Sequence, residues 1–392
     1  MMDPGGPFFS VLIPTFNRFD LLQEAIESVL AQDFTDFEVI VSDNWSADGT
    51  QEILEHYTDR RVVVTRPPQH VPMPFNWEHA RSQASGKYLV PLADDDALVG
   101  GALTRFKQAI DRTRSKFLFS PYAEYFDSTF PKVSTSGRKA NTIVLSGGCG
   151  REIKVSRDAY LRPLYALTPY FHQHPSSYVV DRLVCDEVVR RFGGLFVSQG
   201  VEFFSWPAVF TVLDSITLVD LPLAVVGRTA KSGGVQAFLE NLGSQDLQKI
   251  HNSWDHEVLS APVKAKVSIN LTTEGLWRAQ DMPAGALLRR YGRDEQKYAE
   301  LLREELTYRR SIGTDVDREF TDLDKWSATL ESKLDPLVKK NRWLTPLYSK
   351  LCHARRARGY IKARVIDCET EGIANAMDVA RYVERSNRQY QH

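Results

Sequence analysis

The sequence predicts an α/β domain with a mostly parallel sheet flanked by helices, followed by a mainly helical C-terminal region. Three observations carry this. Short apolar runs alternate with segments of helical apolar spacing over about 25 to 30 residues per unit, as βαβ crossovers require. One of the runs, residues 88–92, is short and wholly apolar, as in a buried strand. Beyond about residue 235 the apolar runs give way to charged amphipathic spacing, with Glu300, Arg303, Glu304 and Arg309 in one such run. The expected division is therefore residues 1–234 for the sheet domain and 235–392 for the helical region.

In chain order, residues 8–14 form a first strand that Pro14 ends. The polar loop Thr15-Phe16-Asn17-Arg18 follows. Leu21, Leu22, Ala25, Ile26, Val29 and Leu30 then fall on one helical face, with Asp20 near its start. Residues 37–41 are a second strand. It leads into Ser42-Asp43-Asn44-Trp45-Ser46-Ala47-Asp48-Gly49-Thr50, and Ile53, Leu54 and Tyr57 mark a second helix. Residues 61–65 are a third strand, 67–74 a Pro-rich loop, and 75–84 a helix that Asn76 either caps or, at the crevice edge with Arg66, leaves for ligand.

Residues 88–92 form a fourth, buried strand that runs into Ala93-Asp94-Asp95-Asp96. Three adjacent carboxylates repel and raise one another's pKa, so an apolar strand rarely ends this way unless a cation neutralises the group. Oxygen-only ligands suit Mg²⁺ or Mn²⁺, which also hold substrate phosphates. The alternative is a solvated turn. In parallel sheets ligands bind beyond the carboxyl ends of the strands. The loops 15–18, 43–50 and 94–96 are thus expected to converge on one crevice.

Further on, a helix over 103–110 and a strand over 117–119 are expected. Residues 127–150 read as an exposed insertion rich in Ser, Thr, Gly and Lys. A strand at 178–180, a helix over 183–192 stopped by Gly193-Gly194, and a helix over 202–210 follow. Edge-strand pieces around Pro222 precede a basic glycine-containing loop, 227–234, with Arg228 and Lys231.

Composition narrows the function. The 392 residues are 43% hydrophobic and 25% charged, ordinary for a soluble globular protein, and the net charge of −1 gives no whole-chain field for nucleic acid or an acidic membrane. Cys149, Cys185, Cys352 and Cys368 have no metal-binding spacing and read as free thiols in a reducing compartment. With no signal-peptide pattern and no apolar run near the ~18 residues of a membrane span, the expected location is cytoplasmic. One segment allows peripheral contact: 336–366 holds nine Lys or Arg and no Asp or Glu, among Trp343, Leu344, Leu347, Tyr348 and Leu351. It reads either as a basic amphipathic helix on an anionic surface or as a helix packed on acidic chain, here or in a homo-oligomer.

Taken together, the motifs 11–18, 41–50 and Gly86-Lys87-Tyr88 leading into Asp94-Asp95-Asp96 resemble the family-2 glycosyltransferases of the Rossmann-like GT-A fold, over roughly residues 8 to 230. The resemblance implies a nucleoside-diphosphate sugar donor, a divalent metal (Mn²⁺ or Mg²⁺) and inversion at the anomeric carbon. It sets Pro14, Thr15, Asn17, Arg18, Asp43 and Asn44 at the nucleotide, with Asp43 accepting from a base N–H. Asp94, Asp95 and Asp96 fall at the ribose and metal. Ala93 stands where many members carry another Asp. The acceptor would be a glycan or a lipid-linked glycan, as in cell-surface polysaccharide synthesis, and not nucleic acid.

Inversion needs a carboxylate to take the acceptor's proton. Glu202 is the candidate base, with Asp181 and Glu187 as weaker rivals; the alternative for Glu202 is a helix-start acid complementing the dipole. His172 and His174 are candidates for acceptor or diphosphate contact. Arg228 and Lys231 are candidates to hold the diphosphate on a closing loop, and Asn76 to reach the nucleotide. Two other readings stand beside this one: a nucleotidyltransferase that makes a nucleotide-sugar, and a non-catalytic sugar-nucleotide-binding subunit. The first loop lacks the glycine-rich cradle that a triphosphate needs.

Overall fold

The computed structural model describes residues 6–130, 139–145, 148–168, 174–232, 260–265, 267–311, 313–333 and 364–388. His172, Cys352 and the basic run 336–363 lie outside the described residues.

Thirteen strands form two sheets among the described residues. The larger contains β1 (Phe9–Thr15), β2 (Phe37–Asp43), β3 (Val62–Thr65), β4 (Tyr88–Pro91), β6 (Phe117–Phe119), β9 (Glu152–Ser156), β10 (Tyr178–Asp181) and β11 (Ser215–Val219). Its order is β3-β2-β1-β4-β10-β6-β11-β9. Only β10 and β9 run against the rest, so the sheet is mostly parallel as expected. The smaller sheet has the order β13-β8-β7-β12-β5 and is built from β5 (Ala97–Leu98), β7 (Tyr122–Phe126), β8 (Thr142–Leu145), β12 (Ala224–Arg228) and β13 (Arg364–Asp367).

Side chains alternate across the larger sheet, and both faces are covered. Phe9, Val11 and Ile13 face a core with α1 (Phe19–Leu30), α2 (Thr50–Glu55) and α4 (Ala102–Thr113). Leu12, Ile40, Leu89 and Phe119 face the opposite core. That core holds α3 (Met73–Gln83), α5 (Arg157–Tyr165), α6 (Arg182–Phe192) and α7 (Val201–Val209). The C-terminal helices α8 (Ser268–Asp281), α9 (Glu295–Ser311) and α10 (Asp317–Lys333) extend it through Leu276, Leu302 and Leu323. Helix α8 presses closely on α7: a Cβ on Gly275 would lie 2.7 Å from the Phe203 backbone, so only glycine fits there. No described helix is long and apolar enough to cross a membrane.

Four local expectations change. Residues 142–145 are not exposed insertion but a buried strand, because Ile143, Val144 and Leu145 pair with β7 on one side and β13 on the other. Gly227 and Arg228 are not loop residues but the end of β12, in ladder with Tyr125 and Phe126. Helix α3 begins at Met73, with Pro74 in its first turn, so Asn76 lies inside the helix and does not cap it. Arg364, Val365 and Ile366 are strand, not helix. In the first three cases long-range pairing or packing overrides the local pattern; in the fourth the strand partner, β8, lies more than two hundred residues upstream in the chain.

Candidate active site

The crevice follows from register. Thr15 pairs with Asp43 at the ends of β1 and β2, and Leu92 extends β4 by donating to Leu12 O (2.9 Å). Parallel strands in step bring their following loops to one edge, where the three polar loops meet.

Second-loop residues brace the first. The Asn44 amide donates to Thr15 O (2.9 Å), and Asn17 Oδ1 accepts from the Ala47 amide (2.8 Å). Asn17 and Trp45 both hold positive φ, 54° and 66°. Asn tolerates that region; Trp rarely does, and here its indole N–H is fixed on Pro67 O (2.9 Å). Asp43 is buried, accepts from the Ser46 amide (3.0 Å) and pairs with Arg66, whose guanidinium also lies 4.9 Å over the Trp45 ring. Pro14, ahead of this loop, is buried in β1. The side chain of Asn44 is committed to the chain: it donates to Val71 O (2.7 Å) and accepts from the Val71 amide (2.9 Å). Asn76 is likewise spent, accepting from Ser42 Oγ (2.6 Å) and donating to Ser42 O (3.0 Å) and Thr15 O (3.4 Å). It locks β1 to β2 under the crevice, with both of its polar atoms already hydrogen-bonded to the chain.

The three acids differ. Asp94 accepts from Thr15 Oγ1 (2.7 Å) and from Arg18 Nη1 (2.8 Å), which links the first loop to the fourth. Burial, with the charge of Asp95, raises its pKa even though Arg18 opposes the shift. Asp96 is 1% exposed; it accepts from the Ser176 hydroxyl and from the Gly227 amide (2.9 Å). Burial and the neighbouring Asp95 push its pKa well up. Asp95 makes no hydrogen bond among the described residues; Arg18 approaches it to 4.0 Å.

Among the described residues no three His, Cys, Asp or Glu side chains are gathered as a ready-made ligand set. Mg²⁺ or Mn²⁺ does not need one: one or two carboxylates plus phosphate oxygens are its usual anchorage. Asp95 fits that role with an uncommitted carboxylate, and Asp96 lies beside it. Asp94 fits less well, because an ion there would displace Arg18.

On the far side of Asp96, His174 Nδ1 lies 3.3 Å from Asp96 Oδ2, accepts from the Ser176 amide (3.3 Å) and sits beside the Tyr122 ring. Burial, with Arg228 nearby, pushes its pKa well down, so the Asp96 contact is not an ion pair. Arg228 bonds to Glu124 (3.2 Å), and its pKa is raised: burial works against the charge, but Tyr122, Glu124 and Asp96 outweigh it. Lys231 is exposed and pairs with Asp20 (2.8 Å) at the start of α1.

Glu202 lies in the first turn of α7, half-buried. Desolvation pushes its pKa up to about 7, with the charge of Arg228 opposing. Both rivals are otherwise engaged. Asp181 caps α6, accepting from the Leu183 and Val184 amides (3.0 and 3.3 Å). Glu187 is clamped by Arg190 and Arg191, which hold its pKa down at about 2.

Sequence reasoning missed Ser176, Tyr122 and the Gly227 amide. Only the closure of both sheets brings them to Asp96, and no local pattern marks them.

A family model described as glycosyl transferase family 2 matches residues 10–180, the stretch that carries the three loops and all three acids. Residues 10–180 are therefore similar to glycosyl transferase family 2. The alternating sheet of this stretch is the GT-A arrangement its motifs resemble. Among similar proteins, the GalNAc(5)-diNAcBac-PP-undecaprenol beta-1,3-glucosyltransferase of Campylobacter jejuni is 40% identical over 105 residues, covering 26% of this chain and 34% of the relative. The putative teichuronic acid biosynthesis glycosyltransferase TuaG of Bacillus subtilis is 29% identical over 119 residues, 30% of this chain and 47% of the relative. The matches thus span about a third to a half of these relatives. A crystal structure of Staphylococcus aureus TarS 1-349 with UDP aligns over 82% of this chain and 91% of its own, at 19% identity and a TM-score of 0.44.

Proposed function

We propose that this glycosyltransferase moves a sugar from a nucleoside-diphosphate sugar to a hydroxyl of a glycan or lipid-linked acceptor, with inversion. The observation that carries this reading is the bridge Thr15–Asp94–Arg18, which joins the nucleotide-side loop to the acid tip in one crevice. Asp43 and Arg66 supply a buried acceptor and a donor at its nucleotide end. A divalent ion held by Asp95 and Asp96 would stabilise the charge that develops on the leaving diphosphate. Arg18 stands beside those acids to contact the same diphosphate. Glu202, poised near neutrality, accepts the acceptor's proton, and Arg228 favours its ionised form. His174, kept neutral, orients the acid tip and leaves Nε2 for the acceptor.

One similar protein is named for a glycan on PP-undecaprenol and another for teichuronic acid biosynthesis, which supports a cell-surface glycan as acceptor. A lipid-linked acceptor is met at the membrane surface, and the basic run 336–363 supports peripheral contact there, with the site in the cytoplasm.

The test is release of nucleoside diphosphate from a panel of uridine-, guanosine- and thymidine-diphosphate sugars, with MnCl₂ and with EDTA. Release that needs Mn²⁺ and is lost in Asp96→Ala supports the proposal. Pyrophosphate release from a nucleoside triphosphate and a sugar phosphate, with no diphosphate released from the panel, overturns it.

A further inference from the structure

The segment 364–388 returns to the sheet domain across the whole chain. Strand β13 pairs with β8. Helix α11 (Cys368–Glu371) and helix α12 (Ala376–Arg388) follow. Cys368, Ile373, Val379, Ala380 and Val383 share one buried core with Ala97, Ala123, Tyr125 and Val225 of the smaller sheet and with Val99 just beyond β5. Side-chain hydrogen bonds of Glu24, Tyr125 and Asn387 also tie the arm down. Glu24 on α1 accepts from the Ala376 amide (3.0 Å), capping α12 across 352 residues of sequence. Tyr125 OH donates to Ala374 O (3.1 Å), and buried Asn387 donates to Pro222 O (2.9 Å) ahead of β12.

Two of the strands under α12, β5 and β12, hold the acid tip. Strand β5 begins at the residue after Asp96, and it is two residues long at a sheet edge. A strand that short does not hold its own position. Strand β12 carries the Gly227 amide that donates to Asp96. The turn 374–376 also lines the cavity that Asp95, Asp96, Gly227 and Glu24 share.

We propose that residues 364–388 are a positioning arm for the acid tip: docked on β5 and β12, they hold Asp96 against the Gly227 amide, and Glu24 locks the arm by capping α12. The arm touches no reacting atom and acts through Asp96, so the proposal rests on the reading of that residue given above.

The experiment uses the full chain with Glu24→Ala, Glu24→Gln and Asn387→Ala. It measures Mn²⁺-dependent turnover of the donor that reacts in the panel, affinity for the matching nucleoside diphosphate without metal, and amide exchange. Glu24→Ala is expected to lower kcat about tenfold or more, the scale of loss when a reacting group is misplaced. Metal-free nucleotide affinity stays within about twofold, since the Asp43 end is untouched. Amide exchange quickens over 96–99 and 224–228, and Glu24→Gln, which keeps an acceptor oxygen, restores both. Parental kcat in Glu24→Ala and Asn387→Ala, with exchange quickened only over 364–388, overturns the proposal. If Glu24→Ala fails to fold, Asn387→Ala decides by the same readings. Turnover retained in Asp96→Ala overturns the underlying reading instead; Asp96→Ala inactive beside a parental Glu24→Ala overturns the arm alone.

Discussion

The amide of Gly227 donates to Asp96 Oδ1 at 2.9 Å, although 131 residues separate them. The same approach leaves no room at Gly227: a Cβ there would lie 2.0 Å from the Asp95 carbonyl oxygen. Gly227→Ala is therefore expected to push β12 off the acid tip. Steady-state turnover should drop by about tenfold or more, with nucleotide affinity in EDTA little changed. Parental turnover in a folded Gly227→Ala would mean that the tip does not need this strand.

Asp43 and Arg66 make a second test. Asp43 is 1% exposed, whereas the Arg66 side chain is 32% exposed and can return to water when its partner is lost. Asp43→Asn keeps an acceptor for the Ser46 amide but removes the charge. We expect nucleoside-diphosphate affinity, by calorimetry, to fall about tenfold, and stability to fall by only about 1 kcal/mol. Unchanged affinity would exclude Asp43 from the nucleotide site.

Asn76→Ala separates structure from binding. It leaves Ser42 Oγ and the Ser42 carbonyl, both beneath the crevice, without the side chain that satisfies them. Urea unfolding should register a loss of about 1–3 kcal/mol. If the variant instead keeps its stability and loses nucleotide, Asn76 contacts the ligand after all.

Glu202 has a pH signature in stability as well as in rate. With its folded pKa near 7 against an ordinary 4.5, the folded chain keeps a proton that the unfolded chain has released between those values. Stability thus declines as pH rises from about 4.5 to 7, and the whole penalty remains above 7. Glu202→Gln removes it. The difference in Tm between variant and parent should be small at pH 4.5, grow toward pH 7 and then level off. For the parent, kcat/KM should climb through pH 7 as the base ionises, and the Gln variant should lose that limb along with most of its turnover. A pH-independent difference in Tm would place the Glu202 carboxyl in water.

Much of the site's outline was legible along the chain. Asp43 and Asp94 to Asp96 stand at strand ends, and a parallel sheet sends such ends to one edge. What each acid does there was not legible. Asp94, read as a metal ligand, is bound by Thr15 and Arg18; Arg228, read as a loop residue, pairs with Phe126 in a strand and places its side chain on Glu124. Nothing within a few residues of either encodes those partners.

Apolar periodicity and the punctuation of Pro, Gly and Asp determined, by themselves, the βαβ order of the first hundred residues, because crossover units bury their faces against near neighbours in sequence. Tertiary structure alone decided the smaller sheet, the partners of Asp96 and the place of residues 364–388. Each of these depends on backbone groups and apolar faces that find partners far away in the chain, and burial, rather than local propensity, selects them.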